Sequence, residues 1–454
     1  MEDITMRKIF QYIMLAVVTI VMASCTSDIE ETTATTGKSN VQLVVGEFPA
    51  FGDSQTRAIG TPDEGKTSWA EGDELLLEID NTSYGRHNAT FTYNGKSWEL
   101  TSGELVYLEG DPAYISHVYY APNYKWEAGK LVLKEGKVAG TDEYIEGNAR
   151  ITGNDEPITV SFAEATRKYS RLRIATLPNE QITVDTEYFT PAGSSDMEQE
   201  GNYTLTSDEK GNAYLYGTFE NNSEVTVKYR EAALTTHTFS QATESAKSYA
   251  LDATVISANS AEEIKSAIEQ KVADGKTTIR LNLAPNAGTN EFMAIREAIK
   301  GAAPNDLGTI ELTIIGVETI PEEAFYKMLQ LKSVRMSDVK EIKKYAFKEC
   351  QYLTVVEAPS LNKLYSGAFR KCDQLSKLTF GPINYADARY WPIFEYITPN
   401  IDLILSDYQK EMIETDSYLY TANNDRDYAG SDEHNSKNFL GREFRSITCR
   451  YKVK

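Results

Sequence analysis

The sequence is poor in the two residue types that most often bind metals or carry nucleophilic and acid–base chemistry. Its 454 residues include only four cysteines, too few for a disulfide-stapled scaffold, and four histidines. The histidines lie in four different segments, at His87, His117, His237 and His434. The sequence has no His-Glu-x-x-His, Gly-x-Ser-x-Gly or Gly-x-Gly-x-x-Gly motif. We therefore predict no metal site, no cofactor and no enzyme activity. A hydrolase of secreted glycans or peptides, using a hidden carboxylate pair, stays as a third alternative.

Positive charge is also scarce. Lysine and arginine number 46 against 67 aspartates and glutamates, which gives a formal net charge of −21. Binding to nucleic acid needs clustered cations, so we exclude a nucleic-acid partner. We interpret the acidic surplus as a source of solubility through self-repulsion. A chain of this length is expected to form two to four domains.

An uncharged run, Ile9–Met22, follows two basic residues near the N-terminus and ends at Ala23-Ser24-Cys25. This pattern indicates a secretory signal that is too short to span a bilayer comfortably. Its end resembles a bacterial lipobox, which implies that Cys25 is lipidated and anchors the chain to a membrane. An ordinary cleaved signal with a chance cysteine is the alternative. We predict a signal peptide over residues 1–24 and a flexible tether over 25–40.

The acidic residues directly after Cys25, Asp28, Glu30 and Glu31, resemble the export signal of surface lipoproteins in the Bacteroidetes group. That resemblance implies a lipid-anchored protein of the outer membrane, displayed at the cell surface.

Residues 41 to 254 alternate between apolar and polar side chains in short runs, such as Leu75–Ile79 and Ile158–Phe162. Turn signals such as Asn94-Gly95 separate these runs. Short alternating runs at regular spacing are typical of β-sandwiches. Because the region is long for one small sandwich, we divide it into two, over residues 41–176 and 177–254.

The order of motifs in this region resembles the fimbrillin family. The motifs are Thr56-Arg57-Ala58, Trp69-Ala70-Glu71-Gly72-Asp73, Ser170-Arg171-Leu172 and Ser245–Tyr249. The resemblance implies two stacked transthyretin-like sandwiches and a role in surface fimbriae. It also makes Arg57-Ala58 a candidate bond for processing, which would free a groove for the donor strand of another subunit. We favour the alternative that Arg57 is a plain exposed residue in a loop.

The C-terminal region, residues 257–454, contains an internal repeat of 22 residues. Ala-Phe pairs recur at that spacing, and so do apolar residues in five further columns, over residues 317–383. Such columns indicate stacked coils, each burying its apolar side chains against the next. The columns with the strongest signal are Phe325/Phe347/Phe369, Ile320/Ile342/Leu364, Leu331/Leu353/Leu375 and Val334/Val356/Leu378.

The repeat resembles the BspA-like leucine-rich repeat, whose family members are surface proteins and often bacterial adhesins. The predicted fold is therefore multidomain, with tandem all-β transthyretin-like sandwiches followed by an α/β leucine-rich-repeat solenoid with caps. Cys350 and Cys372 share a column with Met328, so we interpret them as buried apolar thiols, with a disulfide as the alternative.

Residues 317–383 contain 11 basic and 8 acidic residues, a local charge of +3 in a chain whose remainder carries −24. We predict that a protein or glycan partner on another surface contacts this region. A solvated face is the alternative. The candidate contact residues are Ser333, Arg335, Glu357, Lys348, Arg370, Lys371 and Lys377. The predicted function is that of a surface adhesin or binding lipoprotein, with a structural fimbrial component that contacts other subunits, as an anchor or a tip, as the alternative.

Overall fold

The computed structural model describes residues 43–51, 66–81, 85–104, 113–150, 158–162, 167–230, 232–387, 393–397, 400–406, 438–440 and 442–451. Within these residues the chain is mostly β-strand. The described residues form two compact units. The first contains those within 43–49, 66–132 and 145–162, and the second contains those within 50–51, 133–144 and from 167 onward.

The first unit is built around a seven-stranded sheet of order β1-β9-β8-β5-β2-β3-β4, with β6 and β7 paired separately. The β1–β9 pair is parallel, and the other pairs in this sheet are antiparallel. The strands are β1 Leu43–Val45, β2 Glu74–Asn81, β3 Gly85–Tyr93, β4 Trp98–Gly103, β5 Ala113–Tyr120, β6 Tyr124–Glu127, β7 Lys130–Leu133, β8 Ile145–Arg150 and β9 Ile158–Ser161.

Strand β2 is buried on both faces. Leu75, Leu77 and Ile79 are completely buried in the apolar core of this unit, and Leu76 and Glu78 between them are 2% and 8% exposed. The turn between β3 and β4 uses Asn94-Gly95. Gly95 has a φ of +89°, and Asn94 Oδ1 accepts hydrogen bonds from the amides of Lys96 and Ser97. The turn therefore lies at the Asn94-Gly95 pair, as the sequence predicts.

The second unit begins with a sheet of order β15-β14-β11-β13-β10-β16, in which β12 also pairs with β11. Its strands are β10 Ser170–Ala175, β11 Gln181–Pro191, β12 Glu198–Thr206, β13 Asn212–Phe219, β14 Glu224–Tyr229, β15 Ala232–Thr238 and β16 Ser248–Asp252. Strand β10 lies before the predicted boundary at residue 177, so the second sheet begins earlier in the chain than that boundary. The boundaries of the predicted domains stay predictions.

A buried ion pair ties the segment 133–144 to this second sheet. The Arg167 guanidinium, with its side chain completely buried, donates to both oxygens of Glu143 at 3.1 and 3.2 Å, and Tyr169 Oη donates to Glu143 at 2.6 Å. Arg167 also lies 4.0 Å from the ring centroid of Phe51. Burial raises the pKa of Tyr169 well above its usual value, so this hydroxyl stays protonated and can donate.

The rest of the described second unit contains two helices, two parallel sheets and a short antiparallel pair, β28-β29. The helices are α1 Ala261–Ala273 and α2 Thr289–Ala302. The main parallel sheet runs β17-β18-β19-β21-β23-β25-β27-β30, and the short parallel sheet runs β20-β22-β24-β26. The strands are β17 Ile256–Ala258, β18 Thr278–Leu283, β19 Ile310–Ile315, β20 Thr319–Ile320, β21 Leu331–Met336, β22 Glu341–Ile342, β23 Val355–Ala358, β24 Lys363–Tyr365, β25 Lys377–Phe380, β26 Tyr385–Asp387, β27 Asp402–Ser406, β28 Asn438–Phe439, β29 Arg442–Glu443 and β30 Ser446–Tyr451.

The side chain of Ser260 caps the N-terminus of α1. Ser260 Oγ accepts from the Glu263 amide at 3.3 Å, and the Glu263 carboxylate accepts from the Asn259 amide at 2.9 Å. Ile264 and Ile268 of α1 are buried, and they belong to the same apolar core as the repeats. The helix therefore closes the N-terminal side of the core that the parallel sheets enclose.

Candidate binding surfaces of the repeat stack

The described residues within 317–397, called the repeat stack below, place equivalent side chains on top of one another. Parallel strands pair with an offset of 22 residues, so that Ser333 pairs with Val355 and Val355 with Lys377. The Phe347 ring lies between those of Phe325 and Phe369, at centroid distances of 5.1 and 5.4 Å. All three phenylalanines are completely buried. The 22-residue columns thus form one continuous apolar core, as the spacing predicts.

The stack continues through a fourth coil that the sequence pattern did not indicate. The Phe394 ring lies 5.6 Å from that of Phe369, at an interplanar angle of 8°. The Phe369 amide donates to Ile393 O of the fourth coil. One coil earlier, the Phe347 amide donates in the same way to Ala368 O of the third coil. Phe394 follows Phe369 by 25 residues rather than 22. The three extra residues break the 22-residue spacing, so a search at that fixed spacing finds no member of the column beyond Phe369.

The two repeat cysteines are buried free thiols, as predicted. Each thiol donates to the carbonyl oxygen of a phenylalanine in the preceding coil: Cys350 to Phe325 O at 2.9 Å and Cys372 to Phe347 O at 3.0 Å. Burial raises the pKa of Cys350 to about 12 and that of Cys372 well above its usual value. These thiols therefore fill space in the core and stay protonated near neutral pH.

The candidate contact residues predicted from sequence lie in two different parts of the coil. Ser333, Arg335, Glu357 and Lys377 are on strands of the main parallel sheet. Arg335 Nε donates to Glu357 Oε2 at 2.9 Å across neighbouring strands, so these two charges largely neutralise one another. Ser333 is only 9% exposed, which leaves it little surface for a partner.

Lys348, Arg370 and Lys371 lie instead on the turns that follow the Ala-Phe pairs. We define the lysine–tyrosine edge as these residues together with the turn residues Tyr326, Lys327, Tyr345 and Tyr396. Tyr326, Lys348 and Arg370 occupy one repeat position, and Lys327, Glu349 and Lys371 occupy the next. The Ala-Phe turns thereby align cations and aromatic rings along the stack.

Aromatic rings hold several of these cations. Lys348 Nζ lies 4.9 Å from the ring centroids of both Tyr326 and Tyr345. Arg370 and Lys371 lie 5.5 and 5.9 Å from the ring of Tyr396, which is 60% exposed. Such distances are within the range of cation–π attraction. The rings therefore position positive charges without neutralising them.

Carboxylates compensate only part of this charge. Glu349 lies 3.5 Å from Lys327 and 3.8 Å from Lys348, and Glu395 lies 2.6 Å from Arg370. Hydrogen bonding with Tyr326, together with the charge of Glu349, raises the pKa of Lys327, which therefore stays a cation at neutral pH. Within the described residues, Lys371 makes no ion pair with a carboxylate.

Comparison with known proteins supports the repeat assignment. Residues 306–399 match the family model described as "BspA type Leucine rich repeat region", in six copies. This confirms the predicted resemblance and extends it beyond residues 317–383 on both sides.

Among solved structures, the chain is similar to GBS52, the minor pilin of the Gram-positive pathogen Streptococcus agalactiae, at 11% identity. The alignment covers 47% of this chain and 94% of the pilin, with a TM-score of 0.17, which carries no argument about fold or function. No curated protein matches the chain.

The N-terminal end of the main parallel sheet is covered by the second sheet of the same unit. Ile315, at the end of β19, is completely buried in the apolar core of that second sheet. Arg280 of β18 donates to Leu234 O at 2.6 Å and lies 3.8 Å from Asp252. These contacts are made by β18 and β19, which precede the repeat stack.

One motif missed by sequence reasoning is Gly60–Thr67, which fits the Gly-x4-Gly-Lys-Thr spacing of a phosphate-binding loop. The structural context of that motif is absent, because the next element described after Lys66 is strand β2 rather than a helix. Lys66 Nζ instead donates to Asp73 at 2.8 Å and lies 5.5 Å from the ring of Tyr120. We therefore assign Lys66 to packing in the first unit.

Three residues of the sequence predictions, Cys25, Arg57 and Ala58, lie outside the described residues. In the part of the chain that the structure describes, no helix is long and apolar enough to cross a membrane. The same part holds no group of three or more His, Cys, Asp or Glu side chains arranged to bind a metal ion.

Proposed function

We propose that this protein is a cell-surface adhesin whose repeat stack, a short leucine-rich-repeat solenoid, contacts a protein or glycan on another surface. The observation that carries the proposal is the repeat stack itself, a buried column of phenylalanines that keeps the turn side chains of four coils in line. A rigid scaffold with aligned side-chain rows is the usual basis of recognition by repeat proteins. The match to BspA-type repeats supports the same function.

The rest of the chain fits a display role in this proposal. The two β-regions, which we infer to be transthyretin-like sandwiches, would carry the repeats away from the membrane. Lipidation of Cys25 would anchor the chain in the outer membrane, since several acyl chains hold a protein far more firmly than one. No catalytic step is part of the proposal.

The anchor and the display are tested together on whole cells. Metabolic labelling with an alkyne fatty acid should tag the wild-type chain but not a Cys25→Ala variant. Antibody against the repeat stack should stain intact cells that produce the wild type. Labelling of Cys25→Ala, or staining only after the cells are broken, would contradict the anchor or the display.

Binding is tested with the purified full-length chain on arrays of matrix proteins and glycans. The proposal expects a monomer that binds a defined subset of these ligands. Size-exclusion chromatography under mild arginine-specific proteolysis tests the fimbrial alternative. Trimming in the Arg57 region followed by growth of polymers, without array binding, would favour a fimbrial component. Turnover of a polysaccharide or peptide would favour a hydrolase.

A further inference from the structure

We infer that the lysine–tyrosine edge binds a linear polysaccharide carrying sulfate or carboxylate groups, laid along the axis of the repeat stack. The inference rests on the proposed adhesin function and names the chemical class of its ligand. Its physical basis is the spacing of the coils, which sets a regular period for the cations on their turns.

The period follows from the phenylalanine column. Successive ring centroids are 5.1, 5.4 and 5.6 Å apart, close to the spacing of hydrogen-bonded strands. Equivalent turn positions therefore recur about every 5 Å along the axis, roughly once per sugar ring of an extended chain. Lys348 and Arg370 are equivalent residues on adjacent coils, with side chains that are 18% and 16% exposed. The residues that follow them, Glu349 and Lys371, belong to a second row in which Glu349 separates the cations Lys327 and Lys371. A polymer with anionic groups can meet the three cations Lys348, Arg370 and Lys371 on these two coils.

The tyrosines of the edge supply aromatic faces, which a carbohydrate-binding site needs in addition to cations. Tyrosine offers an apolar face together with a polar hydroxyl, which suits a sugar ring that has an apolar face and polar edges. Tyr396 is 60% exposed beside Lys371 and Arg370, at one end of the edge. Tyr326 and Tyr345 flank Lys348 on the earlier coils. Aromatic rings thus lie beside Lys348 at one end of the edge and beside Arg370 and Lys371 at the other.

The backbone of these turns cannot accept an added peptide strand. The Phe325, Lys327 and Phe347 amides donate to carbonyl oxygens of the next coil, at 2.7, 3.0 and 2.8 Å. Strand addition needs an unpaired backbone edge, so a partner at this surface must be recognised by side chains. This favours a polyanionic glycan over an acidic peptide bound as an extra strand.

Long-range charge would direct such a ligand to this edge. Residues 317–383 carry +3 while the remainder of the chain carries −24, so a polyanion is repelled elsewhere and attracted here. Binding should weaken as salt is added, because the edge is at the surface and its charges are screened.

The test measures binding of the full-length chain to heparin and to polygalacturonate, which separate sulfate from carboxylate recognition. Dextran serves as the neutral control and poly-glutamate as the acidic peptide. Lys348→Gln/Lys371→Gln should reduce the affinity for the preferred glycan at least tenfold, and Tyr396→Ala at least threefold. The matched control, Lys332→Gln/Lys377→Gln, removes the same charge from the main parallel sheet and should change affinity less than twofold. Maleimide protection of Cys350 and Cys372 verifies that each variant keeps its core.

Several outcomes would overturn the inference. Equal losses of glycan affinity in the two double variants would show that the glycan is held by non-specific charge attraction and not by the lysine–tyrosine edge. Poly-glutamate binding as tight as that of the better glycan would replace the glycan by an acidic peptide. Array binding to other ligands, with no binding to either acidic glycan, would refute this inference while the proposed adhesin function stands.

Discussion

Truncating the central ring of the repeat stack, Phe347→Ala, is the sharpest test of how this part of the chain is held together. The Phe347 side chain is completely buried and lies between Phe325 and Phe369. Its removal opens a cavity with coils on both sides. Each coil is held in place by its neighbours through backbone hydrogen bonds, so neither can collapse fully into the space.

The expected loss is large. Replacing a buried phenylalanine by alanine costs about 3–5 kcal/mol of unfolding free energy, and each aromatic pair contributes about 0.5–1.5 kcal/mol beyond the buried area. With a ring on both sides, we expect the upper half of that range, about 4–5 kcal/mol. Phe347→Leu keeps most of the apolar volume and should cost less than about 2 kcal/mol. Met293→Ala, which removes a side chain that is 45% exposed on α2, should stay within about 0.5 kcal/mol of the wild type.

Two readouts separate loss of the stack from loss of the whole unit. Urea unfolding followed by circular dichroism gives the overall free energy. Peptide-resolved maleimide labelling reports opening at Cys350 and Cys372, which are buried and have raised pKa values. A cost of 4–5 kcal/mol should raise their labelling rates by on the order of a thousandfold, where opening reaches equilibrium. Phe347→Ala with a cost below about 1 kcal/mol and unchanged thiol protection would refute the stacked-coil account.

Three further substitutions test other parts of the fold by urea or thermal unfolding. Arg167→Met leaves the Glu143 carboxylate buried without its cation and should lower the free energy of unfolding by about 3–5 kcal/mol. Replacing both partners by apolar residues should recover most of that loss. A double variant whose loss equals the sum of the two single losses would contradict the pairing. Gly367→Ala should cost about 1–2 kcal/mol, because its φ is +64° and a Cβ there would lie 2.5 Å from Tyr345 Cε1; a neutral effect would contradict that close contact. Ser260→Ala should cost about 1 kcal/mol through the lost helix cap, whereas Ser260→Asp should be tolerated, and equal losses in both would argue against capping.

The apolar part of the repeat stack could be predicted because its physics is local and periodic. A column must be apolar in every coil, so Ile320, Ile342 and Leu364 reveal their contact through spacing alone. The same holds for the Ser260 cap, where the donor and acceptor lie three residues apart. Both features depend on residues close in sequence or on an exact repeat.

Contacts without such a period could not be predicted. Phe394 belongs to the same column as Phe369, but three inserted residues hide it from any search at a fixed spacing. The covering of Ile315 by the second sheet joins segments far apart in the chain, and nothing in either segment's own pattern encodes it. The Arg167–Glu143 pair likewise joins residues from different segments, and the sequence does not show which of its many arginines and glutamates pair.

The charged columns carry information that the apolar columns do not. Glu318 and Lys340, like Arg335 and Glu357, are 22 residues apart, and both pairs form cross-coil ion pairs. A column that alternates in sign therefore neutralises itself and indicates stability. In the column of Tyr326, Lys348 and Arg370, Arg370 pairs with Glu395 of the fourth coil at 2.6 Å. Lys348 lies instead between two tyrosine rings and 3.8 Å from Glu349 of the neighbouring column. The neighbouring column of Lys327, Glu349 and Lys371 also alternates in sign, but only Lys327 of its two lysines lies in an ion pair with Glu349. Within the described residues Lys371 makes no ion pair with a carboxylate, so it is the edge cation that retains its charge for a partner.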